Sequence, residues 1–321
     1  MSDNPLYGQS FVTIQGLALD GVERIMHHAR EMQTDVENRQ RILRLPGSVM
    51  VRAFYEPSTR TATSFSVAMQ RLGGHVTPID GGMQYSSAIK GETFEDTMRT
   101  FSEMADVVVL RHPEVGAAAR AVAVSRVPVI NAGDGIGEHP TQALLDLYTI
   151  RRRLSAAPNP REDLVVTMLG DLKNGRTVHS LVRLLGLMYG KKLFLNLVSP
   201  DSLRMPEDVR RDAKRMGGHY NESTTLTNKF LRATDVLYVT RVQKERFETA
   251  EEYEAVQGSY IINRATLENS RGSLVLMHPF PRVNELSTDL DHDPRAAYFD
   301  QIHNGVYVRM ALLDLILRPS A

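Results

Sequence analysis

Ser48-Val-Met-Val-Arg-Ala-Phe-Tyr55 is a short β-rich run, and Ser58-Thr-Arg-Thr61 follows it directly. Phe65, Ala68, Met69 and Leu72 then recur at helical spacing, Gly73-Gly74 follows, and residues 75–79 form a second β-rich run. The spacing puts the four apolar side chains on one face of a helix. Gly73-Gly74 gives that helix a C-terminal stop. The whole stretch is one βαβ unit, which makes its two strands parallel. Residues 106–110 and 127–131 read as further strands, so the alternation predicts an α/β domain on a parallel sheet.

A helix is expected over residues 141–154. Ser155-Ala-Ala-Pro-Asn-Pro160 after it is small, polar and broken by proline, as a linker or hinge is. Beyond it the alternation resumes, with strands expected at residues 164–169, 192–198, 235–240, 260–263 and 273–277. Tyr307, Met310, Ala311, Asp314 and Leu315 lie near helical spacing in the tail. The expected architecture is α/β, with two doubly wound parallel-sheet domains of similar size, residues 1–150 and 151–293, joined by a hinge. A C-terminal helix within residues 294–321 packs back on the first domain. No fixed-period repeat is present, which argues against a solenoid.

The chain has 321 residues, 42% of them hydrophobic, enough for two cores at about 150 residues per domain. Lys plus Arg number 38 and Asp plus Glu number 38, so no global field favours nucleic acid or a membrane surface. An anionic ligand must therefore be held by a local cluster. Cysteine is absent, which excludes disulfides, thiolate nucleophiles and cysteine-ligated metals and fits a reducing compartment. Residues 1–11 hold no basic region leading into an apolar run, and no apolar stretch approaches the ~18 residues of a membrane span. The expected address is the cytoplasm.

In open α/β sheets, ligands bind where the C-terminal ends of strands open into loops. Ser58, Thr59, Arg60 and Thr61 stand at such a place, directly before a helix. Three hydroxyls, the unbonded amides of a helix start and a guanidinium surround a phosphate dianion with donors. Taken alone, the same residues read as an ordinary Ser/Thr helix cap. A cation in the first turn, where the helix dipole disfavours it, argues for an anion there. Arg111-His-Pro113 follows the third strand, and Gly133-Asp-Gly-Ile-Gly-Glu-His139-Pro-Thr-Gln142 follows the fourth. The glycine run resembles a dinucleotide fingerprint with Glu138 in place of the third glycine, which makes an oxidoreductase the second reading. Gly170-Asp-Leu-Lys-Asn-Gly-Arg176-Thr177 and Thr240-Arg-Val-Gln243 follow strands in the second half. A guanidinium pairs bidentately with a carboxylate, so Arg176 and Arg241 suit a dicarboxylate. No His/Glu pair has metal-ligand spacing and no nucleophile elbow is present, so the expected chemistry uses no metal, no cofactor and no covalent intermediate.

Over essentially its whole length the chain resembles the aspartate carbamoyltransferases. The resemblance is carried by Ser58-Thr-Arg-Thr61, Lys90-Gly-Glu92, Arg111-His-Pro113, His139-Pro-Thr-Gln142, Gly175-Arg-Thr177 and Arg241-Val-Gln243, in the family's order. His278-Pro-Phe-Pro-Arg282 is similar to the family's late loop, with Phe280 where leucine is more usual, and it implies a cis peptide before Pro281. The implied reaction moves the carbamoyl group of carbamoyl phosphate to the amino group of L-aspartate, in de novo pyrimidine biosynthesis. Ser58, Thr59, Arg60 and Thr61 are implied to bind the phosphate. Arg111, His139 and Gln142 address the carbamoyl end, with Phe280 and Pro281 beside them, and Arg176, Thr177, Arg241 and Gln243 hold aspartate. The implied assembly is a homotrimer whose sites borrow Ser86 and Lys90 from the neighbouring chain. Thr61, Arg111 and His139 are implied to donate to the developing oxyanion, and closure about the hinge to bring the ligands together.

Ornithine carbamoyltransferase shares the phosphate half and the expected fold, so the second half decides between them. Two arginines and Gln243 offer a second ammonium only positive or neutral partners, and the cysteine typical of the ornithine enzymes' late loop is absent. A non-catalytic assembly module would have lost a substrate contact, and each expected one is present. Residues 202–206, 241–247 and 293–298 look like the domain fused into eukaryotic multifunctional pyrimidine-synthesis proteins, which implies other domains of such a polypeptide as partners.

Overall fold

A computed structural model describes residues 4–80, 90–157 and 161–319, the side chains of Asp80 and Glu245 excepted. The chain folds into two compact units, Met1–Leu145 with Ile302–Ala321, and Asp146–Gln301. Both borders fall inside helices. Part of the segment expected to act as a hinge, residues 158–160, lies outside the described residues.

The first unit holds β1 (Val49–Phe54), β2 (His75–Asp80), β3 (Val107–His112) and β4 (Val129–Asp134), all parallel in the order β2-β1-β3-β4. Its helices are α1 (Leu19–Glu37), α2 (Thr59–Arg71), α3 (Phe94–Ser102), α4 (Ala117–Val124) and the start of α5 (Pro140–Ser155). The apolar face of α2 is realised as the spacing requires: Phe65, Ala68, Met69 and Leu72 have no measurable exposure. Gly73 ends the helix at φ 87°, a left-handed conformation that a side chain resists.

The second unit holds β5 (Leu164–Leu169), β6 (Leu193–Val198), β7 (His219–Ser223), β8 (Val236–Val239) and β9 (Val275–Met277), also all parallel, in the order β7-β6-β5-β8-β9. Its helices are the remainder of α5, then α6 (Arg176–Tyr189), α7 (Glu207–Arg215), α8 (Asn228–Ala233), α9 (Ala250–Glu254) and the first turn of α10 (Tyr298–Leu317). The rest of α10 belongs to the first unit, where the Arg309 guanidinium donates to Ser64 Oγ at 2.9 Å and Asp314 meets His28 at 2.6 Å.

The two-sheet α/β architecture is the one the alternation predicts, with two corrections. Residues 260–263 form no strand; Ile262 makes a single bridge to Leu286, and Ile261 is half exposed. The fifth strand is β7, whose sequence His219-Tyr-Asn-Glu-Ser223 carries no apolar alternation because it lies at the sheet edge and is only partly buried.

The strand orders locate the places where ligands can bind. Winding reverses at β1, between β2 and β3, and at β5, between β6 and β8. Loops leaving the C-terminal ends of neighbouring strands diverge at such switch points and leave a crevice. In the second unit the crevice loops touch tightly. Gly170 follows β5 at φ 116°, and a Cβ there would lie 2.2 Å from the carbonyl oxygen of Thr240. Gly170→Ala is therefore expected to lower stability by about 3 kcal/mol or more. Gly258→Ala, also at positive φ (72°) but facing open space, should cost only about 1 kcal/mol. Urea unfolding of the two variants measures the difference, and equal costs would mean that the contact with Thr240 yields freely.

Two candidate half-sites at the strand ends

In the first unit the crevice is built on the start of α2. Ser58 is the N-cap residue, yet its side chain makes no capping hydrogen bond, whereas Thr93, Thr227 and Thr249 each accept from the amide three residues on. An ordinary helix cap is thus not what Ser58 supplies. The first turn of α2 carries no acidic residue. Its frame is set by Arg52 of β1, which donates to the carbonyl of Ala62 at 3.1 Å and to Ser66 Oγ at 2.5 Å. Thr59 and Arg60 are exposed and Thr61 is buried. The structure brings Thr61 together with His139, whose Nε2 lies 3.5 Å from Thr61 Oγ1.

Arg111, the last residue but one of β3, is 8% exposed. It donates to the carbonyl of Ala132 at 3.2 Å and pairs with Glu56 at 2.8 Å. Glu56 escaped the sequence reading although it stands two residues before Ser58. His112 belongs to an aromatic cluster with Tyr55 and Phe94, and burial lowers its pKa. The glycine run after β4 is not a pyrophosphate cradle. The Asp134 carboxylate accepts from the amides of Glu138 and Gly116, both at 2.8 Å, so an anion of the chain's own already holds that turn. Glu138 in turn accepts from Thr13 and from the amide of Ile14. These contacts leave the oxidoreductase reading without its fingerprint. They set the start of α5, where His139 and Thr141 are buried and Gln142 is partly exposed.

In the second unit, Arg176 and Thr177 open α6, and Arg241 and Gln243 lie in the loop after β8. All four are partly exposed. Asp171, fully buried, ties the two loops together: it accepts from the amide of Asn174 at 2.9 Å and from that of Gln243 at 3.4 Å. Thr240 strengthens the tie by donating to the carbonyls of Leu169 and Asp171. The sequence reading missed Asp171; its only signal was a polar residue directly after a strand. A cleft lies beside Thr240 and Val242, but neither Arg241 nor Gln243 lines it.

The late loop follows β9. Its Phe280-Pro281 peptide is cis and Phe280 has φ 54°. The Phe280 ring packs against Tyr298 and Phe299, with centroids 5.7 and 5.6 Å away, so the side chain serves packing. The Phe280 amide donates to His278 Nδ1 at 2.9 Å, which puts the proton on Nε2, 2.7 Å from Glu285. Burial pushes the Glu285 carboxyl up, and hydrogen bonds from His278 and the local amides outweigh it to leave a net depression. Lys90 is exposed at the start of the 90–92 motif, and Ser86 lies outside the described residues. Among the described residues no helix is long and apolar enough to cross a membrane.

Comparison with known proteins matches both halves. The carbamoyl-P binding domain of aspartate/ornithine carbamoyltransferases matches residues 9–152, and the Asp/Orn binding domain matches residues 162–316. The aspartate carbamoyltransferase catalytic subunit of Methanopyrus kandleri is 46% identical over 95% of this chain and 96% of its own length. Multifunctional protein pyr1-3 of Dictyostelium discoideum is 47% identical over 98% of this chain, which spans only 14% of that protein. The crystal structure of Trypanosoma cruzi aspartate transcarbamoylase with carbamoyl phosphate and aspartate superposes with a TM-score of 0.91 at 39% identity, covering 98% of each chain.

The late loop yields a prediction about acid stability. Arg282 pairs with both oxygens of Asp291, and Tyr298 donates to one of them. Chiefly through Arg282, the Asp291 carboxyl is held down from 3.8 to about 2. A carboxyl whose folded pKa is depressed contributes stability above its unfolded value and loses it as pH falls through the folded one. Asp291→Asn should therefore destabilise the protein at neutral pH, and its urea midpoint should converge on that of the unsubstituted protein between pH 3.8 and about 2. A gap that stays constant over that range would show that the ion pair contributes nothing.

Proposed function

We propose an activity from one premise: the chain belongs to the aspartate/ornithine carbamoyltransferase family. The activity is transfer of the carbamoyl group of carbamoyl phosphate to the amino group of L-aspartate, giving N-carbamoyl-L-aspartate and phosphate, as a step of de novo pyrimidine biosynthesis. The observation that carries the choice of acceptor is the tying of the Arg176 and Arg241–Gln243 loops by one buried carboxylate, Asp171. Two guanidiniums and a carboxamide on loops held in fixed relation match two carboxylates and repel the second ammonium of ornithine.

In the proposed reaction the neutral amine attacks the carbamoyl carbon, the bond from that carbon to the phosphate oxygen breaks, and the proton that the amine gives up ends on the departing phosphate. Thr61, Arg111 and His139 donate to the carbonyl oxygen as it becomes an oxyanion, where one preorganised donor is typically worth about 3 kcal/mol. Ser58, Thr59, Arg60 and the amides of the first turn of α2 hold the phosphate as it gains charge. Gln142 addresses the carbamoyl amide, Phe280 and Pro281 contribute backbone, and Arg176, Thr177, Arg241 and Gln243 hold aspartate. Phosphate release with each acceptor tests the reading. Aspartate should exceed ornithine by at least about a hundredfold in kcat/KM, since the wrong acceptor leaves a guanidinium without its carboxylate and sets an ammonium against it. Comparable rates would end the assignment.

The proposal extends to assembly. We place the chain in a homotrimer, in the cytoplasm on the strength of its lack of cysteine, with Ser86 and Lys90 entering the neighbour's site. Other domains of a multifunctional polypeptide are proposed partners, supported by the similarity to the Dictyostelium protein. On this reading homotrimers of Arg60→Ala and of Lys90→Ala are each nearly inactive. Reassembled together in equal amounts, they should regain activity in roughly one site in four, because a working pocket needs its body from the Lys90 variant and its loop from the Arg60 variant. Hybrid trimers verified by mass yet as inactive as their parents would place Lys90 in its own chain's site.

A further inference from the structure

We infer that Asp146 is a positioning residue, tying the start of α6 to the late loop through two buried arms of hydrogen bonds that converge on its carboxylate. The inference rests on the aspartate-site reading above. The His278 amide donates to Gln301 Oε1 at 2.8 Å, and Gln301 Nε2 donates to Asp146 Oδ1 at 2.8 Å. On the other side the Tyr238 hydroxyl donates to Asp146 Oδ2 at 2.7 Å, and Thr177 hydrogen-bonds to Tyr238. His278, Gln301, Asp146 and Tyr238 are all buried, none more than 2% exposed.

The direction of each arm is set by a group that cannot turn over. A backbone N–H only donates, so the Gln301 amide must give its oxygen to His278 and its nitrogen to Asp146. Asp146 then receives a donor at each oxygen, which a carboxylate can do and an amide cannot. The Tyr238 hydroxyl, its proton given to Asp146, offers Thr177 a lone pair. One end of the chain thus holds the first turn of α6, with Arg176 and Thr177, and the other holds the backbone leading into the cis Phe280-Pro281 bond. Being buried, Asp146, Tyr238 and Gln301 act through these loops. Thr167, bonded to Thr234 at 2.5 Å and to Asn196 at 3.1 Å, is an equally buried polar centre of the same unit that touches neither loop.

Two shape-preserving variants test the inference. In Asp146→Asn the oxygen that faces Tyr238 becomes an NH2 that donates to the tyrosine oxygen, which turns the tyrosine proton toward Thr177 and reverses that link. Tyr238→Phe removes the link and keeps the ring. Each should raise the KM for aspartate about tenfold while the dissociation constant of carbamoyl phosphate stays within about twofold, and the double variant should be no worse than the poorer single one. Thr167→Val should lower thermal stability and leave KM unchanged. Amide hydrogen exchange at residues 176–179 should quicken in both site variants, a readout independent of turnover. An unchanged aspartate KM in folded Tyr238→Phe overturns the inference, as does an equal rise in Thr167→Val, which would mean general loosening. If the unsubstituted protein fails to carbamoylate aspartate, the functional reading falls by itself. The exchange data then decide the positioning role, with unchanged exchange in Tyr238→Phe refuting it.

Discussion

A parallel sheet cannot turn back on itself with a tight loop; every strand must send the chain across a face of the sheet before the next can pair. Where successive crossovers leave in opposite senses, the loops at the strand ends part, and the backbone and side chains there have no neighbour to cover them. β1 and β5 are these places. The polar chemistry of the chain gathers on the loops after β1 and β3 in one unit and after β5 and β8 in the other. Net charge is zero over the whole chain, so concentration of arginines at the two crevices is a product of topology, not of composition.

Collecting cations is only half of the problem, because carboxylates on the same loops would neutralise them. The chain deals with most of these by giving them backbone amides. Asp134 accepts from Glu138 and Gly116, and Asp171 accepts from Asn174 and Gln243. Each is buried, and each stands at the C-terminal end of a strand or just beyond it. A carboxylate has acceptor sites enough for several amides, and loops that make no regular structure have amides to offer. The exchange stiffens the loop and engages the anion in one step. Glu56 is the exception: it pairs with Arg111 at 2.8 Å, so a ligand oxygen that approaches this arginine competes with a carboxylate already there.

How much of this was legible in the sequence depended on whether the partners were local. Strands buried on both faces, such as Leu164-Val-Val-Thr-Met-Leu169, announce themselves as apolar runs, and α2 announces itself by period. β7 did not, because an edge strand need not be apolar, and residues 260–263 misled because two isoleucines look like a strand wherever their neighbours lie. The site motifs were readable because each stands at a strand end in an order shared with a family. The groups that hold them were not. Asp146 finds Tyr238 92 residues later and Gln301 155 residues later, a spacing that no local rule anticipates. Nor does sequence tell a serine that caps its helix from one, like Ser58, that does not.

Burying a carboxylate as deeply as Asp146 is a poor way to gain stability, since a well-packed apolar replacement commonly does as well or better. What an apolar residue cannot supply is direction. Between the His278 amide and Thr177 every donor has one acceptor, and both arms end on the group that can only accept. Tyr238 is the ionisable donor of the two that reach Asp146. Burial, together with the neighbouring Asp146 charge, drives its hydroxyl well above its ordinary range, which favours the protonated, donating form. Gln301 has no ionisable alternative, and its amide is locked by contacts at both ends. The two side chains that donate to Asp146 thus keep their protons at neutral pH.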